Sequence, residues 1–72
     1  MLGAFVKRRR LELGLSVRDI ADMTGLSDGA IYMIERGERT RLQAQTLVSL
    51  AAALGVTVDL LLQEGSPQEV SA

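Results

Sequence analysis

The sequence from residue 16 to residue 37, SVRDIADMTGLSDGAIYMIERG, decides the fold of this chain. Ser16 precedes a short run with helical periodicity, and Gly25 interrupts that run. A second helical run begins after Ser27 and closes at Gly37. Glycine tolerates the left-handed backbone that such a tight turn often needs. The pattern therefore predicts two short helices joined by a turn, which is a helix-turn-helix.

The flanking sequence predicts three more helices. Helix 1 runs from about Leu2 to Leu13, helix 4 from about Ala44 to Leu54, and helix 5 from Val58 to about Glu64. We expect one all-α domain over residues 1–64 and a frayed tail over residues 65–72. In helix 5 we expect Val58, Leu61 and Leu62 to fill the core. In helices 2 to 4 the predicted buried positions are Ile20, Ala21, Ile31, Ile34, Leu47, Leu50 and Leu54.

Composition narrows the function classes. Seventy-two residues make one small domain with a marginal core, so oligomerisation is expected. The absence of cysteine and histidine removes disulfides, thiol metal sites and the usual general base. The nine carboxylates are scattered, so we expect no enzyme, metal site, cofactor or small-molecule ligand. No apolar run reaches the roughly 20 residues of a membrane span and no secretory signal is present, which favours a cytoplasmic protein.

Charge is distributed unevenly along the chain. The net charge is −1, which does not by itself indicate a nucleic-acid binder. All eight basic residues lie within residues 1–41, where six acidic residues leave a balance of +2. Residues 42–72 carry three acids and no base. The domain is therefore polarised along its sequence.

Five consecutive segments carry a family resemblance. They are LELGLSVRDIA (11–21), TGLS (24–27), IYMIERGE (31–38), TLVSLAAALGV (46–56) and TVDLLL (57–62). Over roughly residues 2–62 the chain resembles the lambda-repressor-like helix-turn-helix family, also called the Cro/C1 or XRE type. The resemblance implies a compact five-helix DNA-binding domain, usually of a dimeric transcriptional regulator, with helix 3 in the DNA major groove.

The resemblance assigns base reading to the exposed face of helix 3. Asp28 could accept a hydrogen bond from cytosine N4 while repelling phosphates, and Met33 could touch a thymine methyl group. The family often has Gln, Arg, Ser or Thr on this face, so the chain departs from that pattern. The alternative is a solvated face that has lost base reading. The matching positions are Ser27, Asp28, Gly29, Tyr32 and Met33.

The resemblance also indicates phosphate contacts at two places. One is the start of helix 2, where the family often has Gln at the position of Val17. Here only backbone N–H groups can bind a phosphate, and Arg18 could add charge. The other is the loop after helix 3, with Arg36, Arg39 and Arg41. The alternative for these arginines is ordinary solvent exposure.

Two further roles concern structure and assembly. In the family an arginine at the position of Arg10 often pairs with a glutamate at that of Glu35, tying helix 1 to helix 3; a surface role for both is the alternative. Leu60 is apolar where the family commonly has an acid. Together with Val58 and Leu61 it is predicted to form a patch for a symmetric homodimer.

The leading hypothesis is a sequence-specific transcriptional regulator that binds a palindromic operator in double-stranded DNA as a homodimer. The alternative is a protein-interaction module, such as an antitoxin-like partner, that keeps the fold but has lost base reading. The sequence pI of about 5.2 and the residues Val17, Asp28 and Gly29 favour that alternative.

Overall fold

Short polar side chains or glycines fix several of the helix ends in this chain. In the computed structural model, which describes residues 1–65, Ser27 Oγ accepts a hydrogen bond from the Ala30 N–H at 3.1 Å and Thr57 Oγ1 one from the Leu60 N–H at 3.1 Å. These side chains satisfy N–H groups that have no partner within the helix. Gly55, at φ 68°, ends the fourth helix in the left-handed region.

The described part of the chain folds into five α-helices with no strand, as the sequence predicts. The predicted tail lies outside the described residues, apart from residue 65. The helices are α1 Leu2–Glu12, α2 Val17–Thr24, α3 Asp28–Glu35, α4 Ala44–Leu54 and α5 Val58–Gly65.

One apolar core, aliphatic except for Phe5, joins all five helices. Helix α2 packs against α3 and α4, while α1 packs against α3, α4 and α5. Six of the seven positions predicted to be buried in helices 2 to 4 are buried, whereas Leu47 packs against the core but stays partly exposed. Burial of each leucine or isoleucine side chain among them contributes roughly 1.5–3 kcal/mol. The largest fully buried side chains are Val6, Ile20, Ile31, Ile34, Leu50, Leu54 and Leu61.

Helix α5 differs from the prediction in which of its leucines face inward. Leu61 is fully buried, and Leu60 packs against the core while remaining partly exposed. Leu62, predicted to fill the core, is 49% exposed. The physical reason is the 104° bend between α4 and α5, which turns the side of α5 that carries Leu61 towards α1 and α4. Leu62 lies about 100° further round the helix.

Within residues 1–65, no single helix is both long enough and apolar enough to cross a membrane. Helices α4 and α5 reach that length and composition only when taken together, and they are bent by 104° relative to each other.

Candidate nucleic-acid interface

The turn between α2 and α3 is held by local hydrogen bonds. Gly25, at φ 78°, donates its N–H to the Ala21 carbonyl at 2.9 Å. Thr24 Oγ1 donates to the Ile20 carbonyl at 2.8 Å and accepts from the Leu26 N–H at 3.3 Å. The turn thus has a fixed geometry, and the apolar sides of α2 and α3 meet in the core.

The opposite side of α3 faces solvent. Tyr32 is 49% exposed and Met33 is 40% exposed. Asp28 and Gly29 lie one turn earlier on the same side, because residues three and four apart are neighbours on a helix. Ser27 precedes them as the N-cap; its Oγ accepts the Ala30 N–H, which leaves the hydroxyl hydrogen free to donate elsewhere. The five residues predicted to read bases therefore form one surface.

The start of α2 offers only backbone groups to an anion. The Val17 side chain is buried in the core. Ser16 and Asp19 form a reciprocal capping box, in which Asp19 Oδ2 accepts the Ser16 N–H at 2.8 Å and Ser16 Oγ accepts the Asp19 N–H at 3.0 Å. The hydrogen bond from the Ser16 N–H lowers the pKa of Asp19 below its ordinary value. A carboxylate thus already occupies part of this helix end.

Arg18 extends from α2 across the turn towards α3. Its Nε lies 3.5 Å from Asp22 Oδ1, and its Nη1 lies 3.5 Å from Asp28 Oδ2. The side chains of Arg18 and Asp22 are well exposed, and that of Asp28 is about half exposed. A predicted phosphate contact is therefore paired with a predicted base-reading residue.

The loop after α3 folds back on the end of that helix. The Met33 carbonyl accepts the N–H groups of Glu38 at 2.9 Å and Arg39 at 3.2 Å. Arg36 Nη2 lies 3.2 Å from Glu38 Oε1 in an exposed pair. Arg39 and Arg41 are exposed. This geometry places cationic side chains beside the α3 surface, where a DNA backbone could run.

A buried ion pair joins α1 to the last turn of α3. Arg10 Nε donates to Glu35 Oε2 at 2.7 Å and Nη2 donates to Oε1 at 3.2 Å, while Nη1 donates to the Leu15 carbonyl at 3.0 Å. The two side chains are only 10% and 5% exposed. The hydrogen bond to Glu35 raises the pKa of Arg10, although burial opposes the shift. The pair fixes the orientation of α3 against α1.

Two contacts that position these helices were missed by sequence reasoning. A Cβ on Gly3 would lie 2.5 Å from the carbonyl oxygens of Ile34 and Glu35, so α1 rests directly on the backbone of α3. Arg9 Nε donates to the Leu54 carbonyl at 2.9 Å, which caps α4. A glycine in the first turn of a predicted helix was the available signal for the first contact.

The surface described above is built from a helix-turn-helix, and the chain belongs to the helix-turn-helix family, whose model matches residues 6–61. The lambda-repressor-like type expected from the sequence is confirmed. Within the described residues, no cluster of three or more acidic side chains could hold a metal ion.

Particular relatives are transcriptional regulators. The chain is 33% identical over 69 residues to the HTH-type transcriptional regulator SinR of Bacillus licheniformis. The match covers 96% of this chain and 62% of that protein. The chain is 34% identical to SinR of Bacillus subtilis over 64 residues, covering 58% of that protein with 89% of its own length. The chain thus spans about three fifths of the curated relatives it matches.

Solved structures agree with this relationship. One match is the structure of SinR, described as the master regulator for biofilm formation, in complex with DNA. Its TM-score is 0.79 at 34% identity, and the match covers 86% of this chain and 98% of that one. SinR in the SinR–SinI complex matches with a TM-score of 0.81 and 31% identity, covering 97% of this chain and 66% of that one.

Proposed function

We propose that this protein is a DNA-binding transcriptional regulator that places the outward side of α3 in the major groove. The observation that carries the proposal is the exposed surface of α3, held rigidly by the Arg10–Glu35 pair and flanked by the Arg39 and Arg41 loop. The similarity to a SinR domain in complex with DNA supports it. A cytoplasmic location is part of this proposal, because the two relatives are regulators from Bacillus and bacterial DNA lies in the cytoplasm.

The side chains divide between positioning and reading. Arg39 and Arg41 neutralise phosphates and supply sequence-independent affinity. The free backbone N–H groups at the start of α2 add a directional phosphate contact. Met33 contacts a thymine methyl group, and Tyr32 donates its hydroxyl to a base or a phosphate. Sequence preference then depends on a few contacts from α3.

A homodimer on a palindromic operator completes the proposal. Leu61 cannot contribute to the interface as predicted, because it is buried in the core of one chain. The accessible apolar side chains of α5 are Leu62, 49% exposed, and the half-buried Val58 and Leu60. A two-fold axis near α5 would place two recognition helices about 34 Å apart, one turn of B-DNA.

Binding to duplex DNA over a salt series tests this function. We expect measurable binding to random-sequence duplex at low salt, and a linear fall of log affinity with log salt. The variant with Arg39→Ala and Arg41→Ala should bind less tightly, with a slope shallower by about 0.9 for each lost phosphate contact. The variant with Lys7→Ala and Arg8→Ala, which removes two exposed cations from α1, is the matched control. Absence of binding at low salt, or an unchanged slope in the double variant, would contradict the proposal.

A second candidate is a protein-interaction module. The observation that favours it is the apolar exposure of the C-terminal helices, with Val48 53% and Leu62 49% exposed. The SinR–SinI complex shows a relative bound to a protein partner. This function predicts no DNA binding even at low salt, which separates it from the first.

A further inference from the structure

The ion pair between Arg18 and Asp28 joins two residues that DNA binding would use separately. Arg18 lies on α2, and Asp28 is the first residue of α3. The guanidinium lies 3.5 Å from Asp28 Oδ2 and 3.5 Å from Asp22 Oδ1. We propose that Asp28 competes with DNA phosphate for Arg18 and so weakens non-specific DNA binding; this inference rests on the proposed function.

The chemistry of the groups makes them direct competitors. Carboxylate and phosphate oxygens accept the same charge-assisted hydrogen bonds from a guanidinium. The side chains of Arg18 and Asp28 are 73% and 45% exposed, so a phosphate can replace Asp28 beside Arg18 without rearrangement of the core. An exposed ion pair is weak, which means that Asp28 tunes the affinity for DNA rather than blocking it.

The competition acts mainly on non-specific complexes. Binding to random DNA depends on phosphate contacts, so holding Arg18 back lowers affinity there. At a site where a base donor such as the cytosine amino group binds Asp28, Arg18 loses one of its two carboxylate partners and keeps only Asp22, so it binds a phosphate more readily. Base reading and phosphate contact are then coupled at the corner between α2 and α3, and the ratio of specific to non-specific affinity rises.

A double-mutant cycle tests the competition. Wild type, Asp28→Asn, Arg18→Gln and the double variant are titrated with one random-sequence duplex over a salt series. Asp28→Asn should raise affinity in both backgrounds, because a charge that repels phosphates is lost. The gain should be roughly two- to fivefold larger when Arg18 is present, the scale of an exposed ion pair. The salt slope should steepen by up to about 0.9 only in that background.

Asp59→Asn is the matched control, since it removes one exposed carboxylate from the first turn of α5. It should change affinity equally with and without Arg18. Equal gains from Asp28→Asn in the two backgrounds would overturn the competition while leaving DNA binding intact. Failure of the wild type and all three variants of the cycle to bind duplex at low salt would overturn the proposed function, and this inference with it.

Discussion

At the scale of single residues, the Arg10–Glu35 pair fixes the position of α3 against α1. Glu35→Gln should lower the free energy of unfolding by roughly 3–5 kcal/mol, because it leaves a buried guanidinium without a countercharge. Urea unfolding of the purified variant measures the loss. Glu38→Gln, which removes the exposed partner of Arg36, should cost less than about 1 kcal/mol. Equal effects in the two variants would show that the buried pair has no special role.

Two glycines in the first turns of their helices make a second matched comparison. Gly3→Ala should destabilise the fold by roughly 1–3 kcal/mol, since its Cβ would clash with carbonyl oxygens of α3 and push the helices apart. Gly29→Ala should stabilise the fold by about 0.5–1 kcal/mol, because the added Cβ would lie 3.9 Å from its nearest neighbour, Ser27 Oγ, and alanine favours a helix. Thermal unfolding of both variants checks the signs; a neutral Gly3→Ala would contradict the close approach of α1.

The structural roles of some residues could be predicted from the sequence, and those of others could not. Gly25 and Gly37 are visible because they interrupt helical periodicity, and both have positive φ. The Arg10–Glu35 contact spans 25 positions, so family resemblance alone indicated it. The pairing of Arg18 with Asp28 was not predicted, because it depends on the crossing of α2 and α3 rather than on a spacing within one helix.

At the scale of helices, the capping box makes α2 sensitive to acid. The pKa of Asp19 is lowered in the folded state, so its contribution to stability is present above the unfolded value of 3.8 and is lost as the pH falls through the folded value. Asp19→Asn should therefore unfold more easily than wild type near neutral pH. The difference should shrink in acid. Urea unfolding at a series of pH values measures it, and a difference independent of pH would contradict the assigned cause.

In helix α5, the periodicity of apolar residues did not predict correctly which side chains face the core. All five helices were predicted, from apolar periodicity together with the glycines and N-cap residues that mark several of their ends. Four apolar residues within residues 58–62 allow several inward faces, however, and a helix of eight residues has too few turns to choose among them. The bend between α4 and α5 makes the choice, placing Leu61 inside and Leu62 outside.

At the scale of the whole molecule, the proposed dimer depends on the outward side of α5. Leu62→Glu should keep the stability of the chain and weaken self-association, because like charges would meet across a two-fold axis. Leu60→Glu should instead lower the unfolding temperature, since Leu60 packs partly against the core. Sedimentation at several hundred micromolar and thermal unfolding separate the two effects. A strictly monomeric wild type would contradict the dimer.

We propose that the outward side of α3 and the loop after it contact DNA. Backbone amide shifts in a two-dimensional NMR spectrum, recorded while duplex DNA is added, test this claim residue by residue. The largest changes should fall at residues 17–18, 27–33 and 36–41. Changes confined to α4 and α5, or no change at any residue at low salt, would contradict it.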